Sequence, residues 1–70
     1  MKHQEGQMAY HQAVDERQAA AILGKAVQTL RNDRHRRRGV PYVKMGRSVR
    51  YLMADLMDYL QKHRINPGAG

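Results

Sequence analysis

Apolar residues recur at helical spacing in three stretches of the chain and in a strand-like pattern in a fourth. Ala19, Ile22 and Leu23 follow an i, i+3, i+4 pattern with Ala20 beside them, which predicts an amphipathic helix. Asp15 just before it is a good N-cap, and Gln18, three residues on, can close a capping box. Val14 stands where a hydrophobic staple is expected, and Gly24 follows the last periodic residue, so the helix is predicted over 16–23. Val27 and Leu30, with Ala26 adjoining, predict a second short helix from Val27 to about Arg34. Leu52, Leu56, Tyr59 and Leu60 recur at i, i+4, i+7, i+8 and predict a third helix over 53–62. Met53 and Met57 form a second stripe beside that face, which either widens the core or stays partly exposed. Asp55 and Asp58 early in this helix, with Lys62, His63 and Arg64 late, suit its dipole.

Between the second and third helices, Val40, Tyr42, Val43 and Met45 lead to Gly46-Arg47 and on to Val49 and Tyr51. Two β-branched and aromatic runs around a glycine predict a β-hairpin, with Pro41 confined to an edge or a strand start. Such a hairpin is unstable alone and must pack on the helices. Residues 1–13 are polar without a clear period, and predict a flexible arm with a short strand around Met8 to Tyr10. Asn66-Pro67-Gly68-Ala69-Gly70 has the composition of a helix stop and a frayed, disordered tail over 66–70. The predicted domain is 14–65, mainly α with a small β-hairpin.

A chain of 70 residues holds one small domain, burying only about 60% of its unfolded surface. Cysteine is absent, which excludes disulfides and cysteine-based zinc sites, and the four histidines show no ligand spacing. No metal or cofactor is expected. No apolar run approaches the ~20 residues of a membrane span, and no secretory leader pattern opens the chain, so a cytoplasmic, nucleoid-associated protein is expected.

Charge sharpens the picture. The formal net charge is +7, and all of it lies in residues 31–50, where Arg31, Arg34, Arg36, Arg37, Arg38, Lys44, Arg47 and Arg50 face the single acid Asp33. The rest of the chain balances to zero. One concentrated basic segment on a neutral scaffold is an electrostatic footprint for a polyanion. The hairpin carries Lys44, Arg47 and Arg50, so its tip and one face are expected to be cationic. The first two helices, joined by a glycine turn, leave Gln28, Thr29, Arg31 and Asn32 on the exposed side of the second. An ordinary helical hairpin has the same outline. Arginine, asparagine and glutamine, however, are the side chains that bond base edges bidentately, which points to a helix-turn-helix.

Three segments carry a family resemblance: Gln18-Ala19-Ala20-Ala21-Ile22-Leu23-Gly24 with Thr29-Leu30, then Gly39 to Tyr51 (GVPYVKMGRSVRY), then Asp55-Leu56-Met57-Asp58-Tyr59-Leu60. Over about residues 14–62 the chain resembles the excisionase-like, MerR-related winged helix-turn-helix domains of phages and mobile elements. The hairpin segment is the most specific part. The resemblance implies three helices plus a two-stranded wing, and sequence-specific binding of double-stranded DNA. It implies a second helix in the major groove through Gln28, Thr29, Arg31 and Asn32, and a wing tip of Gly46 and Arg47 at the minor groove. Lys25, Arg34, Arg36, Arg37, Arg38, Lys44 and Arg50 are the expected phosphate contacts. Of these, Arg36 to Arg38 form a linking run expected to supply affinity without sequence information.

Two departures stand out. The family usually places valine-serine at 25 and 26, the serine capping the second helix, whereas this chain has Lys25 and Ala26. Losing such a cap costs ~1 kcal/mol, so a late or less ordered helix start is expected. Asp33 stands where the family often has tryptophan, which removes a packing anchor and puts an acid inside a basic surface.

The implied role is that of an excisionase, a recombination directionality factor that bends attachment-site DNA and contacts an integrase, with cooperative self-association on DNA. A small transcriptional regulator of the same fold is the alternative, and the lack of an effector segment in these 70 residues slightly favours the architectural role. A basic RNA-binding protein is the third reading. It lacks the aromatic interleaving that stacks single-stranded bases, since the tyrosines have core or arm roles open to them. An interaction module using Met53 and Met57 as an adaptable surface is a further option. An enzyme is not expected: there is no nucleophile–base pairing, metal constellation or carboxylate dyad, and Asp55 with Asp58 is explained by the dipole.

Overall fold

The computed structural model describes residues 12–69. The elements run β1 (Ala13–Val14), α1 (Glu16–Leu23), α2 (Val27–His35), β2 (Val43–Met45), β3 (Ser48–Leu52) and α3 (Met53–Lys62), followed by a 3-10 turn at Pro67–Ala69. The result is three helices and a small antiparallel sheet, as the sequence predicts. The predicted strand near Met8 to Tyr10 lies outside the described residues.

Local chemistry sets the helix ends. Gln18 N–H donates to Asp15 Oδ1 at 2.8 Å and Asp15 N–H to Gln18 Oε1 at 3.0 Å, completing the capping box. At the other end Gly24 takes φ 68°, with Gly24 N–H donating to the Ala21 carbonyl and Lys25 N–H to the Ala20 carbonyl. This is a Schellman closure, and it turns the chain directly into α2. Ala26 caps α2 with no side-chain hydrogen bond, yet the helix starts at Val27, because Thr29 N–H reaches the Ala26 carbonyl at 3.0 Å. The missing serine therefore does not delay the helix. At its far end, Arg37 N–H donates to the Arg34 carbonyl and Arg38 N–H to the Asp33 carbonyl. The pattern repeats that of Gly24, but the left-handed residue is Arg37, at φ 57°.

The sheet order is β1-β3-β2, so β3 is central. The expected two-stranded hairpin thus gains a third strand. Ala13, counted in the arm, pairs with Leu52, and Val14 with Tyr51, while Met53 N–H donates to the Gln12 carbonyl at 2.9 Å. A two-residue strand is too short to show alternation, and only β3's open edge makes it a strand. The hairpin pairs Met45 with Ser48 across a two-residue loop, Gly46-Arg47, with Gly46 alone of the two at positive φ, 61°. A positive φ at the first loop position is what a type II′ turn requires.

The core consists of Val14, Ala19, Ala20, Leu30, Val40, Tyr51 and Leu56, with Ile22, Leu23, Val27, Val49, Met53, Met57 and Tyr59 packed around it. Leu60, expected on the core face of α3, is 39% exposed, whereas Met53 and Met57 lean inward. Two adjacent apolar stripes leave the rotation of a helix open, and packing of α3 on α1 and β3 settles it. At the end of the described chain, Pro67–Ala69 form one helical turn where composition predicts a frayed tail.

Candidate nucleic-acid interface

On α2, Gln28, Thr29, Arg31 and Asn32 are all exposed, as predicted, while Leu30 turns into the core. Gln28 Nε2 donates to Asn32 Oδ1 at 3.1 Å, so the two amides one turn apart support each other on a single face. Between the C-terminal half of α2 and the hairpin runs an open groove lined by Arg31, Arg34, His35, Arg37, Lys44 and Arg47. An adjoining recess adds Ser48 and Arg50 to Arg31, Arg34 and Arg47, and it contains one acid, Glu16.

The structure divides the basic segment differently from the sequence. Arg37 lines the groove, but its neighbour Arg38 turns away and pairs with Asp33 at 3.4 Å. Arg36 is exposed at the C-cap of α2 and lines neither concavity. Of the linking run, Arg37 alone lines the groove. Lys44 and Arg50 also part company. Pairing Lys44 with Val49 and Val43 with Arg50 sends the two cations to opposite faces of the hairpin, so the single cationic face expected there does not form. Arg50 lies back along its own strand, Nη1 donating to the Val49 carbonyl at 2.9 Å.

Asp33 has a structural role. Its half-buried carboxylate sits 3.4 Å from Arg38 Nε and 3.9 Å from Lys25 Nζ, and so ties the turn before α2 to the loop after it. Lys25 Nζ also donates to the Tyr59 hydroxyl at 3.4 Å on α3. Gly39, at φ 92°, lets the loop close over this carboxylate, since a Cβ there would come within 3.0 Å of Asp33 Cβ. Lys25, expected as a phosphate contact, is partly drawn into this cluster.

No pattern in the sequence points to Glu16, and the structure sets it among the arginines of the adjoining recess. Its carboxylate accepts from Arg31 Nη2 at 2.6 Å and Nε at 3.2 Å, and from Arg34 Nη2 at 3.1 Å. Arg34 is anchored twice over, donating Nη1 to the Tyr51 hydroxyl at 2.8 Å with its guanidinium 5.7 Å from the Tyr42 ring centroid. The hydrogen bond from Arg31 holds the Glu16 carboxyl below its ordinary value; desolvation opposes this and Arg34 adds to it. Arg31 is raised in turn by its hydrogen bond to Glu16. Burial works against the charge on Arg34, but its bonds to Tyr51 and Glu16 outweigh it and leave the pKa raised. The partners lie 15 and 18 residues from Glu16, beyond any local spacing rule.

Tyr42, at 42% exposure, opens onto the groove and is neither core nor arm. One tyrosine still falls short of the successive aromatic platforms that single-stranded nucleic acid uses. Among the described residues no group of His, Asp or Glu could hold a metal ion, and no helix is long and apolar enough to cross a membrane.

A family model described as a helix-turn-helix domain matches residues 15–64. The chain belongs to the helix-turn-helix domain family. As such it is a DNA-binding domain with double-stranded DNA as its partner, in a family whose members are typically not enzymes. The match spans α1, α2, the hairpin and α3, so the groove described above lies entirely within it. No match is found among curated proteins or among solved structures.

Proposed function

We propose that this helix-turn-helix domain reads duplex DNA sequence-specifically as an excisionase, a recombination directionality factor that assists an integrase. In this role α2 enters the major groove with Gln28, Thr29, Arg31 and Asn32 toward the base edges. The β2–β3 hairpin acts as the wing, with Gly46 and Arg47 at the neighbouring backbone or minor groove. Arg36, Arg37, Lys44 and Arg50 contact phosphates; Lys25, Arg38 and Arg34 contribute less, because Asp33 already engages the first two and Glu16 with the Tyr51 hydroxyl holds the third. The observation that carries the proposal is the cationic groove between α2 and the hairpin, flanked by an amide pair on the exposed face of α2. Phosphate neutralisation supplies affinity, and the amide and arginine forks supply discrimination. A single nine-residue recognition helix reads few base pairs, so several copies on adjacent sites, or an integrase partner, complete the specificity.

The test selects a preferred site from a randomised duplex pool and compares two variants on it. Asn32→Ala flattens the preference among sites, whereas Arg37→Ala weakens all sites alike. Equal, uniform losses from both variants count against this assignment. Excision by an integrase, reconstituted with and without the protein, separates the directionality factor from a transcriptional regulator of the same fold. Competition by single-stranded RNA at equal strength would favour the RNA-binding reading instead.

A further inference from the structure

We propose that Glu16 is a specificity-determining positioning residue: by clamping Arg31 side-on, it fixes which edge of that guanidinium DNA can meet and withholds the charge from indiscriminate phosphate contact. The inference rests on the DNA-binding reading and extends it to a residue outside the basic segment, at the start of α1.

The geometry is specific. Arg31 gives Glu16 its Nε and Nη2 edge, at 3.2 and 2.6 Å. A guanidinium has five donors in a rigid fork, so pairing along this edge leaves the Nη1 end, and the outer hydrogen of Nη2, directed away from the carboxylate. That outer end is the fork able to bond guanine O6 and N7 together. The Arg31 side chain is 53% exposed while Arg34 is only 17% exposed, so Arg31 is the member of the trio that reaches solvent. Arg34 has the Tyr51 hydroxyl as a second partner independent of Glu16, but among the described residues the Arg31 side chain hydrogen-bonds to Glu16 alone. Removing the carboxylate therefore frees Arg31 and leaves Arg34 largely in place. A freed arginine beside Arg47 and Arg50 becomes another mobile cation, able to meet any phosphate.

Glu16→Ala removes the clamp. Glu16→Gln keeps the shape and one acceptor oxygen without the charge, and remains informative if the alanine variant folds poorly. Affinity is measured against a random-sequence duplex and against the sequence that the wild-type protein enriches from a randomised pool, each as a function of salt. For Glu16→Ala the expected result is tighter binding to the random duplex and a log-affinity versus log-salt slope steeper by ~0.9, one extra phosphate contact. The preference for the enriched sequence falls roughly tenfold, within the weight of one bidentate base contact. Glu16→Gln moves the same way by less. In an Arg31→Ala background, Glu16→Ala changes the preference no further. The proposal is overturned if preference and slope stay at wild-type values, or if both affinities fall in parallel at unchanged slope, as loss of fold stability alone would cause. It is equally overturned if the loss of preference persists undiminished in the Arg31→Ala background. Failure of the wild-type protein to bind any duplex would instead remove the DNA-binding reading on which the proposal rests.

Discussion

Replacing Arg37 by glycine should move fold stability and DNA affinity in opposite directions. Arg37 closes α2 at φ 57°, the left-handed conformation that Gly24 takes at the end of α1. For an L-residue that conformation costs about 1–2 kcal/mol. Glycine removes this cost but loses about 0.5–1 kcal/mol more entropy on folding, leaving a net gain of roughly 0.5–1 kcal/mol. In a domain of this size 1 kcal/mol moves Tm by about 4–8 °C, so Arg37→Gly should melt about 2–8 °C higher. The same substitution removes one cation from the groove, weakening binding to every duplex and making the salt slope shallower by ~0.9. Arg37→Ala is the control, since it loses the charge and keeps the strained backbone: binding falls equally, and Tm does not rise. Gly24→Ala runs the comparison backwards. A Cβ there meets nothing within 4 Å, so its expected loss of about 2–8 °C, the same balance with the sign reversed, reports the conformation alone. Thermal melts by circular dichroism and salt-dependent fluorescence anisotropy read both axes. A lower Tm for Arg37→Gly, or affinity and slope unchanged from wild type, refutes the reasoning that this arginine is kept at a conformational cost for its charge.

The remaining predictions concern affinity, acid stability and packing. With five to seven cations engaged, the log-affinity versus log-salt slope on duplex DNA is expected at about −4.5 to −6, and a slope shallower than −2 removes the electrostatic footprint. Because the Glu16 pKa is depressed in the fold, its pairing contributes stability above the ordinary carboxylate range and loses it as pH falls through the lower folded value. Acid melts of wild type and Glu16→Gln should therefore differ near neutrality and converge at low pH; a gap that widens on acidification would reverse the sign. Leu56→Ala empties a fully buried site and should cost about 2–5 kcal/mol, enough to unfold much of so small a domain, as urea titration would register. Asp15→Ala removes the α1 capping box and should cost ~1 kcal/mol, a few degrees in the same melts.

What was legible in the sequence was local in origin. The bounds of α1 and α3 followed from a cap, a glycine and a 3.6-residue period, interactions that span no more than a turn or two. The exposure of Gln28, Thr29, Arg31 and Asn32 followed from the burial of Leu30 among them, and the hairpin tip from Gly46. Where two stripes competed, as on α3, periodicity could name both faces but not choose between Leu60 and the methionines.

Three helices, a hairpin and a concentrated positive charge could be read from the residue order alone, because each depends on neighbours in the chain. The arrangement of that charge comes from packing. It brought Glu16 onto Arg31 and Arg34, turned Arg38 onto Asp33 while leaving Arg37 in the groove, and added Ala13 to the sheet. It also sent Lys44 and Arg50 to opposite faces through a hairpin register that a one-residue slip would invert. A count of charges depends only on composition, but the field that DNA meets depends on which opposite charge lies a few ångströms away, and that follows only from the packed chain.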